Sequence, residues 1–136
     1  MPQEHEERLR RGYQAFNEGG VNAVLRWLAP EITVHDRESG PDRETHHGLI
    51  GVKQLFESMM EAFDQLTLEP LEFIECGEEI VVVLRQRARG RGSGVELETE
   101  VAHVWAMGEG APAGLRIYRD KEQALAAVRR AQAGRD

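Results

Sequence analysis

The segment RQRARGRGSGVELETE, residues 85–100, constrains the fold of this chain more than any other stretch. An arginine-rich run and a glutamate-rich run flank the turn Arg91-Gly92-Ser93-Gly94, a pattern typical of a β-hairpin. Opposite charges on directly paired strands stabilise one register over its neighbours. The register about this turn pairs Arg89 with Glu96, Arg87 with Glu98, and Arg85 with Glu100. The matching glutamates predict a solvated charge ladder rather than a nucleic-acid patch.

The same register decides which side chains point to the opposite face, because side chains alternate along a strand. That face carries Ile80, Val82, Leu84, Gln86 and Ala88 from the first strand and Leu97, Thr99, Val101, His103 and Trp105 from the second. Its large apolar side chains predict that it faces the core, with His103 pointing inward. Beyond the ladder, the outer face has a flat apolar patch that we expect a second subunit to cover. The patch consists of Val81, Val83, Ala102, Val104 and Ala106.

Hydrophobic periodicity places helices first and strands later in the chain. Leu9, Tyr13 and Phe16 form one apolar stripe of a first helix that ends near Gly19-Gly20. The elements predicted after it are a short helix at 21–28, a strand at 32–34, a helix at 49–64, strands at 66–75, 79–89, 95–107 and 114–119, and a helix at 120–133. Asp120 is the predicted N-cap of the last helix. This order predicts an α+β domain whose helices cover one face of a curved sheet.

Length, charge and cysteine content limit the class of protein. A chain of 136 residues with 40% hydrophobic and 30% charged residues fits one soluble domain. Its net charge of −7 gives no indication of a nucleic-acid or anionic-membrane partner. No apolar run approaches the ~18 residues of a membrane span, and the N-terminus lacks the apolar segment of a signal peptide. The single cysteine, Cys76, excludes an internal disulfide and fits the reducing cytoplasm, where we expect the protein to act.

The stretch EITVHDRESGPDRETHHG, residues 31–48, contains three histidines and five acidic residues. If Ile32 and Val34 face the core, strand alternation places Asp36 on their side and turns His35 away. A carboxyl group against apolar walls is suited to acid or base catalysis near neutral pH. The alternative is that Asp36 only caps a turn.

A metal site in this region would need Asp36, His103 and either His46 or His47 as ligands. The chain has no HExxH motif and no pair of histidines alternating on one strand. We therefore predict no metal and no other cofactor. By strand alternation only one of His46 and His47 reaches a cavity. His103 is either a hydrogen-bonded core histidine or a catalytic group.

The chain contains, in this order, the segments RRGYQAFNEGGVNAVLRWLAPEITVHD, HHGLIGVKQLFESMMEAF, RGRGSGVELETEVAHVWAM and RIYRDKEQAL. This order resembles the SnoaL-like proteins of the nuclear transport factor 2 fold, over about residues 6–128. The resemblance implies one domain over residues 1–136, a cone-shaped, curved mixed β-sheet packed on N-terminal helices. It also implies a pocket at the wide end and, usually, a homodimer. The superfamily includes polyketide cyclases, ketosteroid isomerases and limonene epoxide hydrolases.

Within that resemblance, LAPEITVHD looks like the ketosteroid isomerase segment whose last aspartate is the proton-shuttling base, which implies this role for Asp36. The isomerase's oxyanion tyrosine falls on Gly12, one residue before Tyr13, and its protonated aspartate falls on His103. The Asp–Arg–Asp arrangement of the epoxide hydrolases has no visible counterpart, because the arginines here lie on the ladder.

Two functions fit these observations. The first is an isomerase-, cyclase- or hydrolase-type enzyme acting on a small hydrophobic molecule, in which Asp36 moves a proton and His103 or Tyr13 hydrogen-bonds the developing oxyanion. The second is a non-catalytic ligand-binding or dimerisation module. The apolar wall of a pocket, or else simple core, would be Phe16, Trp27, Phe56, Met60, Phe63, Val101 and Trp105. A cavity shared by Asp36 and His103 would favour the enzyme, and a sealed core would favour the module.

Overall fold

The computed structural model of the protein describes residues 2–36, 45–108 and 111–133. Its elements in chain order are α1 (Pro2–Gly19), α2 (Val21–Val24), a 3-10 turn (Leu25–Trp27), β1 (Thr33–Asp36), β2 (Thr45–His47), α3 (Gly48–Ala62), β3 (Phe63–Cys76), β4 (Glu79–Gly90), β5 (Glu96–Met107), β6 (Pro112–Tyr118) and α4 (Lys121–Ala133). The predicted α+β class is confirmed. The short strand β2 was not predicted, and residues 37–44 of the acidic stretch lie outside the described part of the chain.

The six strands form one mixed sheet in the order β2-β1-β6-β5-β4-β3. The β1 and β6 strands run parallel, and the other neighbours run antiparallel. The ladder of β3 and β4 shifts register between Phe63 and Gln65 and again between Pro70 and Glu72. A third shift interrupts the ladder of β5 and β6 at Ala106 and Met107. Such irregularities bend strands and increase their twist, which agrees with a curved, open sheet.

The predicted register of the β4–β5 hairpin is confirmed at every pair, including Arg87 opposite Glu98 and Val82 opposite His103. The ion pairs follow that register only in part. Nε of Arg87 lies 2.8 Å from Glu98. The guanidinium of Arg89, however, pairs with Asp64 of β3 at 2.9 Å instead of with Glu96.

Arg85 also turns to β3, where its closest carboxylate is Glu69 at 3.3 Å. Its predicted partner Glu100 instead accepts a hydrogen bond from the backbone N–H of Lys121. The ladder therefore spans three strands, because a long arginine side chain reaches carboxylates on either neighbouring strand.

The inner face of the sheet packs against α1 and α3 and forms the main core. The stripe of α1 enters this core as predicted, since Leu9, Tyr13 and Phe16 are buried. Asn17 fixes the C-terminal half of α1 to β3. Its side-chain amide donates to the carbonyl oxygen of Leu68 at 2.7 Å and accepts from the N–H of Leu68 at 2.8 Å.

The C-terminal end of α3 is bound to the hairpin turn by Arg91. The guanidinium donates to the carbonyl oxygens of Met60 (2.8 Å) and Phe63 (3.3 Å), and the backbone N–H of Arg91 donates to Ala62 at 2.9 Å. These bonds satisfy carbonyls that the end of a helix otherwise leaves unpaired. They hold the far ends of β4 and β5 beside α3.

The outer apolar patch is covered within the chain, by α4. Val81, Ala102 and Val104 pack against Ala124 and Val128. The expectation that this patch is left for a second subunit was wrong, because the apolar stripe of α4 already buries it. The homodimer that the family resemblance implies stays a prediction, without this patch as its interface.

The start of α4 agrees with the sequence. The carboxylate of Asp120 accepts a hydrogen bond from the backbone N–H of Gln123 at 2.9 Å, as the N-cap pattern predicted. At the other end of the patch, burial and the neighbouring Glu79 raise the pKa of the Cys76 thiol. A raised pKa disfavours the thiolate, which supports a structural role for Cys76.

Candidate active site

The sheet register places Asp36 and His103 in one row of the inner face. Asp36 lies opposite Ile117 of β6, and Ile117 lies opposite His103 of β5. Direct partners on neighbouring strands project to the same face. Two strand spacings separate the two residues, so their Cα atoms are about 10 Å apart. The register agrees with the predicted interior side for both residues, and their catalytic roles stay a prediction.

A hydrogen-bonded group of three side chains, Tyr13, His103 and Trp105, lies inside the cone. The Tyr13 hydroxyl is 2.7 Å from Nδ1 of His103, and the indole N–H of Trp105 donates to the Tyr13 oxygen at 2.8 Å. The Tyr13 and His103 rings stack, with Trp105 edge-on to both. Each of the three residues is at most 7% exposed. We call these residues the buried triad.

Burial determines the protonation of the triad. Desolvation lowers the pKa of His103 to about 3, so the imidazole is neutral at physiological pH. Desolvation also raises the pKa of Tyr13, against the weaker opposing effect of the Trp105 hydrogen bond. The triad is therefore uncharged. It can act by hydrogen bonding, as a neutral imidazole does when it polarises a carbonyl group.

A small internal cavity adjoins the triad. Its volume is about 40 Å³, and its described lining includes Tyr13, Trp27, His103 and Trp105. A space of this size holds a few water molecules rather than a cyclic substrate. Asp36 is half-buried and is not among the described lining residues. A common cavity for Asp36 and His103 therefore stays a prediction.

A much larger open groove lies between the helices and the far end of the hairpin. Its volume is about 830 Å³, within the range of small-molecule pockets. Its floor includes Leu66, Ala88 and Leu97, which are direct cross-strand partners. Leu97 is 49% exposed although it belongs to the inner face. We call this space the hairpin groove.

An aromatic pair separates the hairpin groove from the internal cavity. Phe16 of α1 and Phe56 of α3 line both spaces. Their ring centroids are 5.0 Å apart. Both rings therefore lie where the two spaces adjoin.

The other predicted site residues are divided between these spaces and the core. Met60 lines the hairpin groove. Val101 is buried and Phe63 is half-buried, and both pack in the core without lining either space. His46 lies opposite Val34 and shares its face, whereas His47 lies opposite Thr33 and is exposed. The inward histidine of this pair is therefore His46.

The described residues offer no arrangement of ligands for a metal ion. Among them, no three His, Cys, Asp or Glu side chains are grouped so that they could hold an ion. Among the same residues, no helix is both long and apolar enough to cross a membrane.

Sequence reasoning missed two contributions to this site. The first is Arg8, the only formally charged residue among the described residues that line the internal cavity. Arg8 and Gly12 are four positions apart on α1 and lie beside the stripe of Leu9, Tyr13 and Phe16. An arginine at the edge of this apolar face is the sequence signal that could have indicated a charged group at the cavity. The second is the indole N–H of Trp105, which was expected only as apolar wall. No local pattern in the sequence indicates its bond to Tyr13.

Comparison with known proteins assigns the family. The family model described as a SnoaL-like domain matches residues 9–113. The fold is similar to that of TerC co-crystallised with polyporic acid, with 20% identity, coverage of 92% of this chain and 97% of that chain, and a TM-score of 0.74. A nuclear transport factor 2-like protein of unknown function from Burkholderia pseudomallei K96243 has 25% identity, the same coverages and a TM-score of 0.74.

The epoxide hydrolase/cyclase-like enzyme SalBIII is a third similar structure, with 19% identity, coverage of 86% of this chain and 91% of that chain, and a TM-score of 0.72. No curated protein matches the sequence. The family match spans most of the chain and agrees with the fold, so the chain belongs to the family of SnoaL-like domains.

Proposed function

We propose that the protein is a cyclase- or isomerase-type enzyme that moves a proton on a small hydrophobic molecule. Asp36 takes or returns the proton. The His103–Tyr13 pair donates a hydrogen bond to the oxygen on which negative charge develops, in a site from which water is largely excluded. The reaction class needs a base and a hydrogen-bond donor that can both reach the reacting group.

The observation that carries this proposal is the row that joins Asp36, Ile117 and His103 across three strands. It brings a carboxylate and a neutral imidazole to one face of the sheet, from segments far apart in the chain. Burying the polar His103 and Tyr13 in an otherwise apolar core costs free energy unless they are hydrogen-bonded. Their bond to each other offsets that cost and leaves Nε2 of His103 as the ring nitrogen for a ligand.

In this proposal the hairpin groove and the internal cavity bind different parts of the substrate. The hairpin groove is large enough for the hydrophobic body of a substrate, whereas the internal cavity of about 40 Å³ admits only a small reactive group. In this proposal Phe16 and Phe56 part when substrate binds and exclude water when they close. The groove is open to solvent, so association does not require the whole cone to open.

Similar structures support this class of chemistry. TerC was co-crystallised with polyporic acid, and SalBIII is described as having a role in pyran ring formation in polyether salinomycin. Both concern small molecules, and the second concerns the formation of a ring. This likeness supports a small molecule as the substrate.

The experiment that tests the proposal is proton exchange on 2-tetralone, a flat hydrophobic ketone with an acidic C–H bond. Its deuterium uptake in D2O is followed by proton NMR with and without enzyme. Asp36→Asn keeps the size of the side chain and removes the base. We expect it to lower the enzyme-dependent rate by about 10² or more, while binding of 2-tetralone is largely kept. Equal exchange rates for Asp36→Asn and the wild type would refute the role of Asp36.

A matched control is Glu31→Gln, which removes an exposed carboxylate five positions before Asp36. It should leave the exchange rate unchanged. If the control and Asp36→Asn lose activity together, the loss reflects the local charge or the fold of this segment rather than a base at Asp36.

A non-catalytic binding module is the second candidate function. The observation that favours it is the small internal cavity, which the Phe16–Phe56 pair separates from the groove. A module would bind 2-tetralone in the groove without accelerating its exchange. In that case Asp36→Asn would change affinity at most.

A further inference from the structure

We infer that Trp105 is a positioning residue: its N–H fixes the direction of the triad's hydrogen bonds, so that His103 presents an Nε2–H donor to the ligand. The catalytic meaning of this donor rests on the proposed function. The direction of the hydrogen bonds does not, because it follows from the three side chains alone.

The first step concerns the Tyr13 hydroxyl, which has one proton and two lone pairs. The indole N–H of Trp105 can only donate, and it lies 2.8 Å from the Tyr13 oxygen. One lone pair of Tyr13 is therefore used. If the hydroxyl proton turned towards Trp105, two donors would face each other. The proton is directed instead to its other neighbour, Nδ1 of His103 at 2.7 Å.

The second step concerns the imidazole. A neutral imidazole carries one proton, on one of its two nitrogens. Because Nδ1 accepts from Tyr13, the proton is on Nε2. Burial supports the neutral form, since it lowers the pKa of His103 to about 3.

The reverse direction leaves more polar groups unsatisfied. If Nδ1–H donated to Tyr13, the tyrosine oxygen would accept from both His103 and Trp105. Its own proton would then have no acceptor among the described residues, and Nε2 would lack a donor as well. Unpaired polar groups in a buried setting are disfavoured. In that alternative the Tyr13 proton would have to turn away from His103, towards the only other neighbour described for the hydroxyl, where the indole N–H already donates. Trp105 thus selects the Nε2–H tautomer by excluding that orientation of the Tyr13 hydroxyl.

The consequence is an uncharged N–H donor on His103, beside a cavity whose described lining is mainly apolar. Such a donor selects a ligand atom with a lone pair, such as a carbonyl or enolate oxygen, and it disfavours a ligand group that can only donate, such as an ammonium group. A donor that is already oriented needs no reorganisation when charge develops on the ligand oxygen.

The test is the tautomer of His103 in the full-length protein without ligand, read by long-range ¹H–¹⁵N correlation on ¹⁵N-histidine-labelled protein at pH 7. His103→Gln identifies the His103 signals among the five histidines. We expect one tautomer, with the proton on Nε2. A proton on Nδ1 in the wild type overturns the inference, and this result does not depend on any variant.

The decisive variant is Trp105→Phe, which keeps an aromatic ring and removes the donor to Tyr13. The hydroxyl proton is then free to rotate, so a second set of His103 signals, with the proton on Nδ1, should appear. A wild-type spectrum in a folded Trp105→Phe protein would overturn the role of Trp105. Tyr13→Phe is a second route to the same conclusion, because it removes the donor to Nδ1 and should also abolish the single-tautomer pattern.

The matched control is Trp27→Phe. Trp27 also lines the internal cavity, and it is not a hydrogen-bond partner of the Tyr13 hydroxyl. It should retain the wild-type spectrum, whereas a change equal to that of Trp105→Phe would assign the effect to lost packing and overturn the inference.

The tautomer experiment and the 2-tetralone exchange experiment can fail independently of each other. If the expected tautomer is found but 2-tetralone exchange is absent, only the proposed enzyme activity fails. If exchange depends on Asp36 while the His103 proton is on Nδ1, only the role of Trp105 fails.

Discussion

The Tyr13 hydroxyl lies 2.7 Å from Nδ1 of His103, although 90 positions separate the two residues in the chain. The contact joins the first helix to the centre of the sheet at a depth where both side chains are almost fully buried. It ties the acid–base state of the core to the stability of the fold. This coupling can be measured, because the free energy of unfolding then depends on pH.

The first prediction is a pH dependence of stability that originates in His103. Its pKa is about 3 in the folded protein and about 6.5 in an unfolded chain. Between these values the unfolded state binds one more proton, so the free energy of unfolding falls as the pH falls below 6.5. The expected slope from this residue is about 1.4 kcal/mol per pH unit.

Urea unfolding of the wild type and His103→Gln at pH 7, 6 and 5 measures this slope. The difference between the two proteins isolates His103, because the carboxyl groups contribute equally to both. His47→Gln, at an exposed position, is the control and should keep the wild-type slope. Identical slopes for the wild type and His103→Gln would show that the imidazole is accessible to protons in the folded state.

The positions of His103 and of the ladder follow from sequence because they depend on local alternation. Once the arginines and glutamates determine the hairpin register, every side chain of β4 and β5 is assigned to a face, and the structure confirms that register. The Asp120 cap is local in the same sense. These features require only neighbouring residues or one turn.

The triad and the role of α4 depend on how distant elements pack. Nothing near Trp105 in sequence indicates that its N–H reaches a tyrosine on α1. The outer patch was correctly identified as needing a cover, yet alternation along β4 and β5 does not tell which element supplies it. The three-residue strand β2 was missed because THH contains no apolar alternation.

The second prediction concerns the hairpin groove and uses two exposed apolar residues. Leu97 lines the groove, whereas Val95 does not line it and is 55% exposed near the turn. Leu97→Asp should change the free energy of unfolding by no more than about 0.5 kcal/mol, as for most surface substitutions. It should nevertheless weaken binding of 2-tetralone by about tenfold, because it replaces an apolar contact beside Leu66 and Ala88 with a charge.

Val95→Asp introduces the same charge two residues away and should leave binding near the wild-type value. Isothermal titration of both variants gives the comparison. Equal affinities for Leu97→Asp and the wild type would place the ligand outside the groove.

The third prediction compares two helical glycines: Gly51 of α3, which lies against β2, and Gly12 of α1. A Cβ atom on Gly51 would lie 2.9 Å from the carbonyl carbon of His46. Gly51→Ala should therefore destabilise the protein by about 1–3 kcal/mol, as overpacking does. On Gly12 the nearest atoms are 3.9 Å away, so Gly12→Ala should stabilise by up to about 1 kcal/mol through its helix propensity. Thermal unfolding of the two variants should shift the midpoint in opposite directions, and a loss of stability in Gly12→Ala would contradict the packing described for α1.

The last prediction concerns α4 as the internal cover of the outer patch. Val128 is 1% exposed and packs with Ala124 against Val81, Ala102 and Val104. Val128→Asp would bury an unpaired carboxylate, which belongs to the most damaging kinds of single change. The helix should release part of its contact, and the apolar patch would then face water. Exposed apolar patches favour association, so sedimentation velocity should find a larger species for Val128→Asp than for the wild type under the same conditions.

Gln132→Asp adds the same charge one turn further along, at an exposed position, and should sediment as the wild type does. If Val128→Asp loses stability without any change in sedimentation, the patch does not drive association when it is uncovered, and a dimer of this chain would have to use another surface.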